Sequence, residues 1–319
     1  MEQRSSAPRA GRVLVGTASW TDKTLIASGR FYPKTATSPE ARLRYYASRF
    51  PLVEVDSSYY ALPAPQTAQR WAERTPEGFV MNVKAFRLFT GHQTASQALP
   101  KDLQQRLPPA AAGKRMFYDR DLPAELRDEL WRRFLEALAP LAAAHKLGLV
   151  HFQFAPWLLR NREGHAHVRS CVLRMQGHAV SVEFRNRTWF DGERSTRSTL
   201  DFERELSVVH TVVDAPQGFA NSVPAVWEAT HPRFALVRLH GRNAETWTIK
   251  GATTASDRFN YDYADDEISS LARAVVERLA AKVQQAHVVF NNNMEDQGQR
   301  NAATMLGVLA QLELPQADR

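Results

Sequence analysis

Eight short runs rich in β-branched and aromatic residues recur along the chain, with helix-compatible stretches between them. They are VLVGT (13–17), LVEVDSS (52–58), FVMNVK (79–84), GLVHFQF (148–154), AVSVEFR (179–185), SVVHTVVD (207–214), FALVRLH (234–240) and AHVVFNN (286–292). Runs of this length and composition read as strands. Pro39 to Arg49 follows Ser38, a helix N-cap residue. Gln66 to Arg74 stops before Pro76, and Pro123 to His145 carries Leu126, Leu130, Phe134, Leu138 and Leu141 at helical spacing. Asp265 to Val283 and Gln299 to Leu312 complete the helical pattern. Strands alternating with helices specify a parallel α/β architecture. Eight units suit a single closed (β/α)8 barrel of the TIM type better than an open sheet.

The 319 residues accommodate such a barrel, which takes about 250 residues, together with insertions. The longest insertion, about Arg87 to Leu122, follows the third strand. In a barrel it lies over the C-terminal face, so it is a lid candidate. One domain is expected over 13–313, with flexible tails at 1–12 and 314–319. The first tail is charged and has no apolar stretch of a secretory signal, which fits a cytoplasmic protein.

Side chains at i and i+2 on a strand share a face. Glu54 pairs in this way with Asp56, Asn82 with Lys84, His151 with Gln153, Glu183 with Arg185, and Arg238 with His240; His210 and Asp214 share a parity too. The opposite parity is largely apolar. A strand's outer face packs under helices, where lone charges are costly, so the charged parity is expected to face the barrel axis. Most of these residues sit near the C-terminal strand ends, where barrel enzymes place their chemistry. Glu54, Lys84, Glu183, Asp214 and His240 are therefore the catalytic candidates for acid–base work.

Binding candidates come from the loops. Arg238 to Asn243 (RLHGRN) ends the seventh strand, and its cations Arg238 and Arg242 suit phosphate or carboxylate. Asn291 and Asn292 open the segment NNNMEDQGQRNA, in which Gly298 precedes a helix whose N-terminus could meet an anion. Arg185 adds a further cation. Trp20, Tyr59, Tyr60, Trp157, Trp189 and Trp247 cluster just after strand ends, and Tyr261 lies in the long segment before the last helix; such rings stack on a sugar or base or anchor loops to the rim.

Composition excludes several classes. No run of eighteen apolar residues exists, so no membrane helix is expected. The single Cys171 rules out an intrachain disulfide or a four-thiolate metal site. No Walker-type loop, GxSxG elbow or HExxH is present. No cofactor is expected, although converging His and acids leave a divalent metal open. Forty-one basic against 34 acidic residues give a net charge of +7, which favours anionic partners. Oligomeric state is not legible.

Taken together, VGTASW (15–20), FYP (31–33), VEVDSSYYALP (53–63), FVMNVKAFRLFTGH (79–92), KLGLVHFQFAPW (146–157), VEFRNRTWF (182–190), DAP (214–216), VRLHGRN (237–243), YDY (261–263), FNNN (290–293) and Arg300 to Ala302 make the chain resemble the domain-of-unknown-function 72, or YecE-like, family. The resemblance runs from about Val13 to Leu312. It implies a TIM-type barrel and supports Glu54, Lys84, Glu183, Arg185, Asp214, Arg238, His240 and Asn292 as matches to family motifs, with no particular reaction. Asp56 stands where the family commonly has Asn, Tyr59 where it has Phe, and Ala155 replaces the first Pro of a Pro-Pro pair.

Three functions fit these residues. The first is an enzyme acting by acid–base chemistry on an anionic small molecule, a phosphorylated sugar or nucleotide-like compound, by hydrolysis, lyase chemistry or isomerisation. Here Glu183 or Glu54 is the base and His240 the proton donor. The second is a glycosidase-like hydrolase using Glu54 and Glu183. The third is a nucleic-acid-binding protein or nuclease, drawing on the arginines and aromatics.

Overall fold

The computed structural model describes residues 11–249 and 256–312. Eight parallel strands close into a barrel in chain order: β1 (Arg12–Ala18), β2 (Leu52–Val55), β3 (Val80–Lys84), β4 (Leu147–Gln153), β5 (Val180–Glu183), β6 (Val209–Asp214), β7 (Phe234–Leu239) and β8 (Gln285–Phe290). β1 pairs with both β2 and β8, which seals the ring. The (β/α)8 barrel expected from the strand count is the architecture found. Most of the expected tail residues lie outside the described ones, but Arg12 already belongs to β1.

Local chemistry explains the element ends. Ser38 accepts a hydrogen bond from Ala41 N and starts helix Pro39–Arg49. The long helix Ala124–Ala143 buries Leu126, Leu130, Phe134, Leu138 and Leu141, the stripe expected from spacing. The second strand ends at Val55, earlier than the sequence suggests, because Ser57–Tyr60 forms a helical turn. Ser58 Oγ locks that turn by donating to Val55 O (2.9 Å) and is within 2.7 Å of Lys84 O. Helix Asp265–Ala274 runs on as a wider π turn, Val275–Ala280.

Two cores result. One lies between strands and helices. The other, including Leu14, Leu52, Leu149, Val209 and Leu236, fills the barrel interior. Polar residues follow two positions later on several strands, at Glu54, His151 and Arg238.

Register decides which side chains join them, because neighbours at one level of a parallel sheet share a face. Glu54 is level with Asn82, Lys84 with His151, Gln153 with Glu183, and Arg238 with Val213. Val213 therefore points inward, which turns its neighbour Asp214, and with it His210, outward. The expectation that these two face the axis is corrected. His210 Nδ1 instead meets Glu203 Oε2 at 3.0 Å, on helix Glu193–Glu205. β6 misleads because its polar residues occupy both faces.

The insertion after β3 packs sideways. Leu99, Leu103, Phe117 and Leu122 are buried, and Asp102 Oδ1 meets Arg133 of the long helix at 2.9 Å. His92, near its start, is its one described residue that lines the mouth cleft. Most of the segment is bracing for the barrel wall.

Candidate active site at the barrel mouth

Arg238 is the hub of the mouth. A guanidinium with no solvent exposure demands carboxylates, and two are supplied. Nε and Nη2 bind Glu54 in a bidentate fork at 3.0 and 2.7 Å, and Nη1 reaches Glu183 Oε2 at 2.6 Å. Both carboxylates are themselves fully buried. Glu183 Oε1 also accepts from Gln153 Nε2 (2.7 Å) and Arg185 Nη1 (2.9 Å). Burial pushes the Glu183 carboxyl up, but the charge of Arg238 and the donors around its oxygens hold it well below the usual carboxylate range.

His240 lies against this network, its Nε2 3.3 Å from Glu183 Oε1. Asn291 Nδ2 approaches its Nδ1 at 2.8 Å. Arg185 Nη1 and Arg238 Nη1 stand 3.3 and 3.4 Å from its Nε2. Burial lowers the His240 pKa to about 3 against the pull of Glu183, so the ring is neutral.

Above this floor opens a cleft of about 540 Å³, lined among others by Asp56, Tyr60, Lys84, His92, Trp157, Arg185, Arg258 and Asn291. Lys84 Nζ meets Asp56 Oδ1 at 2.7 Å and sits 4.5 Å from the Tyr59 ring centre. Burial pulls the Lys84 ammonium down, but Asp56 together with Glu54 and Tyr59 more than offsets it and the net shift is upward. Arg185 lies over Trp247, 4.8 Å from its ring centre. Burial lowers the Arg185 pKa, Glu183 opposes the shift, and Arg238 and Arg258 add to it. Its surroundings are short of negative charge.

The structure thus gathers Glu54, Lys84, Glu183, Arg185, Arg238, His240, Trp247 and Asn291 at the mouth, with Tyr60 on the rim. Glu54, Glu183, Arg238 and His240 form the floor and are absent from the cleft lining. Other expected site residues are elsewhere. Arg242 is bound to Asp214 at 3.0 Å and Glu267 at 2.6 Å, and Tyr263 donates to Asp214 at 2.6 Å. Asp214 and Arg242 line a separate hollow of about 290 Å³. Tyr261 donates to Glu267 at 2.9 Å. Asn292 is fully buried, donating to Tyr261 O and Asn301 Oδ1. Trp20 packs edge-on against Trp71 at 5.7 Å. Asp214, Arg242, Tyr261 and Asn292 brace the loops that hold His240 and Asn291 in place.

Sequence reasoning missed His92, Asn221 and Arg258 as cleft residues. They lie in irregular loops, where no strand parity marks an inward face. Asp56 was visible by its parity with Glu54. Cys171 is buried, and burial raises its thiol pKa, as befits an inert packing residue. Among the described residues no group of three or more His, Cys, Asp or Glu side chains is arranged to hold a metal ion. No described helix is long and apolar enough to cross a membrane.

Comparison with known proteins agrees with this barrel. The chain is 31% identical over 299 residues to the UPF0759 protein YunF of Bacillus subtilis (strain 168), covering 93% of this chain and 94% of that one. A crystal structure of a DUF72 family protein from Enterococcus faecalis V583 superposes with a TM-score of 0.74 at 27% identity, covering 96% of this chain and 100% of that one. A DUF72 structure from Thermotoga maritima MSB8 shares the fold, with a TM-score of 0.71 at 24% identity over 94% of this chain and 99% of that one. The family model described as "Protein of unknown function DUF72" matches residues 14–318, and the chain belongs to that family.

Proposed function

We propose that the mouth binds a small anionic ligand on Arg185, flanked by Lys84 and Arg258, and performs acid–base chemistry on it. The observation that carries this reading is the charge balance around Arg185. Glu54 and Glu183 are taken up by Arg238 and Arg185, and Asp56 by Lys84. Arg258, which makes no ion pair among the described residues, then stands as an excess positive charge on the cleft. An anion supplies what is lacking.

Within this reading the roles differ from those read off the strands. Neither Glu54 nor Glu183 lines the cleft; Glu183 holds Arg185 and Glu54 holds Arg238. Asp56, one quarter exposed, is the group placed to accept a proton. The Lys84 ammonium is placed to stabilise negative charge that develops beside the anion. A glycosidase pair of Glu54 and Glu183 is not favoured, since both carboxylates grip one buried guanidinium instead of flanking a substrate.

The test is thermal unfolding of the intact protein with millimolar inorganic phosphate. A ligand selective for the folded state raises the midpoint by mass action. The midpoint is expected to rise, and Arg185→Ala, verified as folded by circular dichroism, is expected to lose the rise. An unmoved wild-type midpoint, or a rise that survives Arg185→Ala, refutes the reading.

A further inference from the structure

A strip of rings borders the cations of the cleft. Tyr60, Tyr59, His92 and Trp157 follow one another edge to face, with centroid separations of 5.0, 5.4 and 5.6 Å. The strip touches the charges directly, because the Lys84 ammonium sits 4.5 Å from the Tyr59 centre. Its ends are open to solvent: Tyr60 is 47% exposed and Trp157 52%. Among the described residues these are the two exposed large aromatic side chains, and both line the same cleft. Trp157 is also tethered, since its Nε1 donates to Gly91 O at 3.0 Å. The tether fixes the edge of the indole and leaves ring surface uncovered.

Exposed, immobilised aromatic faces next to cations match a ligand that joins a planar ring to an anion. Resting on the anion-binding reading above, we propose that the ligand is a nucleotide, its phosphate on Arg185, Lys84 and Arg258 and its base stacked on the strip at Trp157 or Tyr60. The cleft, about 540 Å³, lies within the range of roughly 300–1,000 Å³ that holds such molecules.

The experiment compares adenosine 5′-monophosphate, ribose 5-phosphate, inorganic phosphate and an eight-nucleotide oligothymidylate by isothermal titration. The first three share the anion and differ in the ring. Stacking on an aromatic side chain gives the monophosphate an expected advantage of about tenfold over ribose 5-phosphate. Trp157→Ala together with Tyr60→Ala, both at exposed sites, is expected to erase that advantage and leave ribose 5-phosphate affinity unchanged. Equal affinity for the three phosphates, untouched by those variants, overturns the nucleotide assignment and leaves the anion site standing. Loss of all binding in the wild type removes both. Tighter binding of the oligonucleotide, with steep salt dependence and the same loss in Trp157→Ala, upholds the nucleotide chemistry and assigns its source to a polymer.

Discussion

Arg238 Nη1 lies 2.6 Å from Glu183 Oε2, and neither side chain has any surface in contact with solvent. A buried ion pair of this kind adds little net stability compared with apolar residues of the same size, yet removing one partner strands the other. Arg238→Leu strands Glu54 and leaves Glu183 with Arg185 alone. It is expected to cost about 3–5 kcal/mol in urea unfolding. Replacing Arg238 and Glu54 together by Leu, which leaves Glu183 with Arg185, is expected to cost less than the single change. A double variant weaker than Arg238→Leu contradicts this account of the hub.

Acid sensitivity follows from the buried imidazoles. Burial takes the pKa values of His240 and His287 down to about 3, against about 6.5 in an unfolded chain. Between those values the unfolded chain binds protons that the native state refuses. Stability therefore falls as pH drops from about 6.5 towards 3, by up to about 1.4 kcal/mol per pH unit for each ring. His287→Gln, away from the cleft, is expected to flatten the slope by about one ring's share. The check is urea midpoints at pH 7, 6, 5 and 4 for both proteins, and parallel curves would count against it.

Asp56 and Lys84 pull in opposite directions on an anion in the cleft. Asp56→Asn removes the negative charge nearest the ammonium, which lowers the Lys84 pKa from its raised position. While Lys84 stays protonated, phosphate affinity is expected to rise about three- to tenfold at pH 7. Calorimetric titration of the variant reads it, and weaker phosphate binding would place Asp56 on the wrong side of the argument. The Lys84 shift itself is read by NMR of the labelled side chain.

Gly241 adopts φ of 85°, and a Cβ placed there would lie 2.5 Å from Tyr261 Cβ. Gly177 has φ of 88° but open space around it. Gly177→Ala is expected to cost only the left-handed backbone penalty, about 1 kcal/mol. Gly241→Ala adds the collision with Tyr261 and is expected to cost about 2–4 kcal/mol while displacing His240. Equal losses for the two variants would show that the loop yields freely.

Much of this was legible in the sequence, and the boundary is physical. Strand parity placed Glu54, Lys84, Glu183, Arg185, Arg238 and His240 together because each strand concerned has one apolar face. It failed on β6, where His210 and Asp214 look outward to partners on neighbouring helices and loops. Arg242 and Asn292 carry the chemistry of ligand contacts, and the sequence holds no sign that Glu267 and Asn301 claim them first. Arg258 and His92 reach the cleft through loop geometry that a two-residue period does not encode.

The two storeys of the mouth have a consequence for divergence. Arg185 owes its position to Glu183, at the end of β5, and through it to Arg238 on β7, so its seat belongs to the barrel wall. Trp157, Tyr60 and Arg258 belong to the loops above. Exchanging those loop residues retunes what the anion is attached to without rebuilding the pedestal beneath it. A lineage built on this plan can acquire new selectivities one rim residue at a time, at little risk to folding.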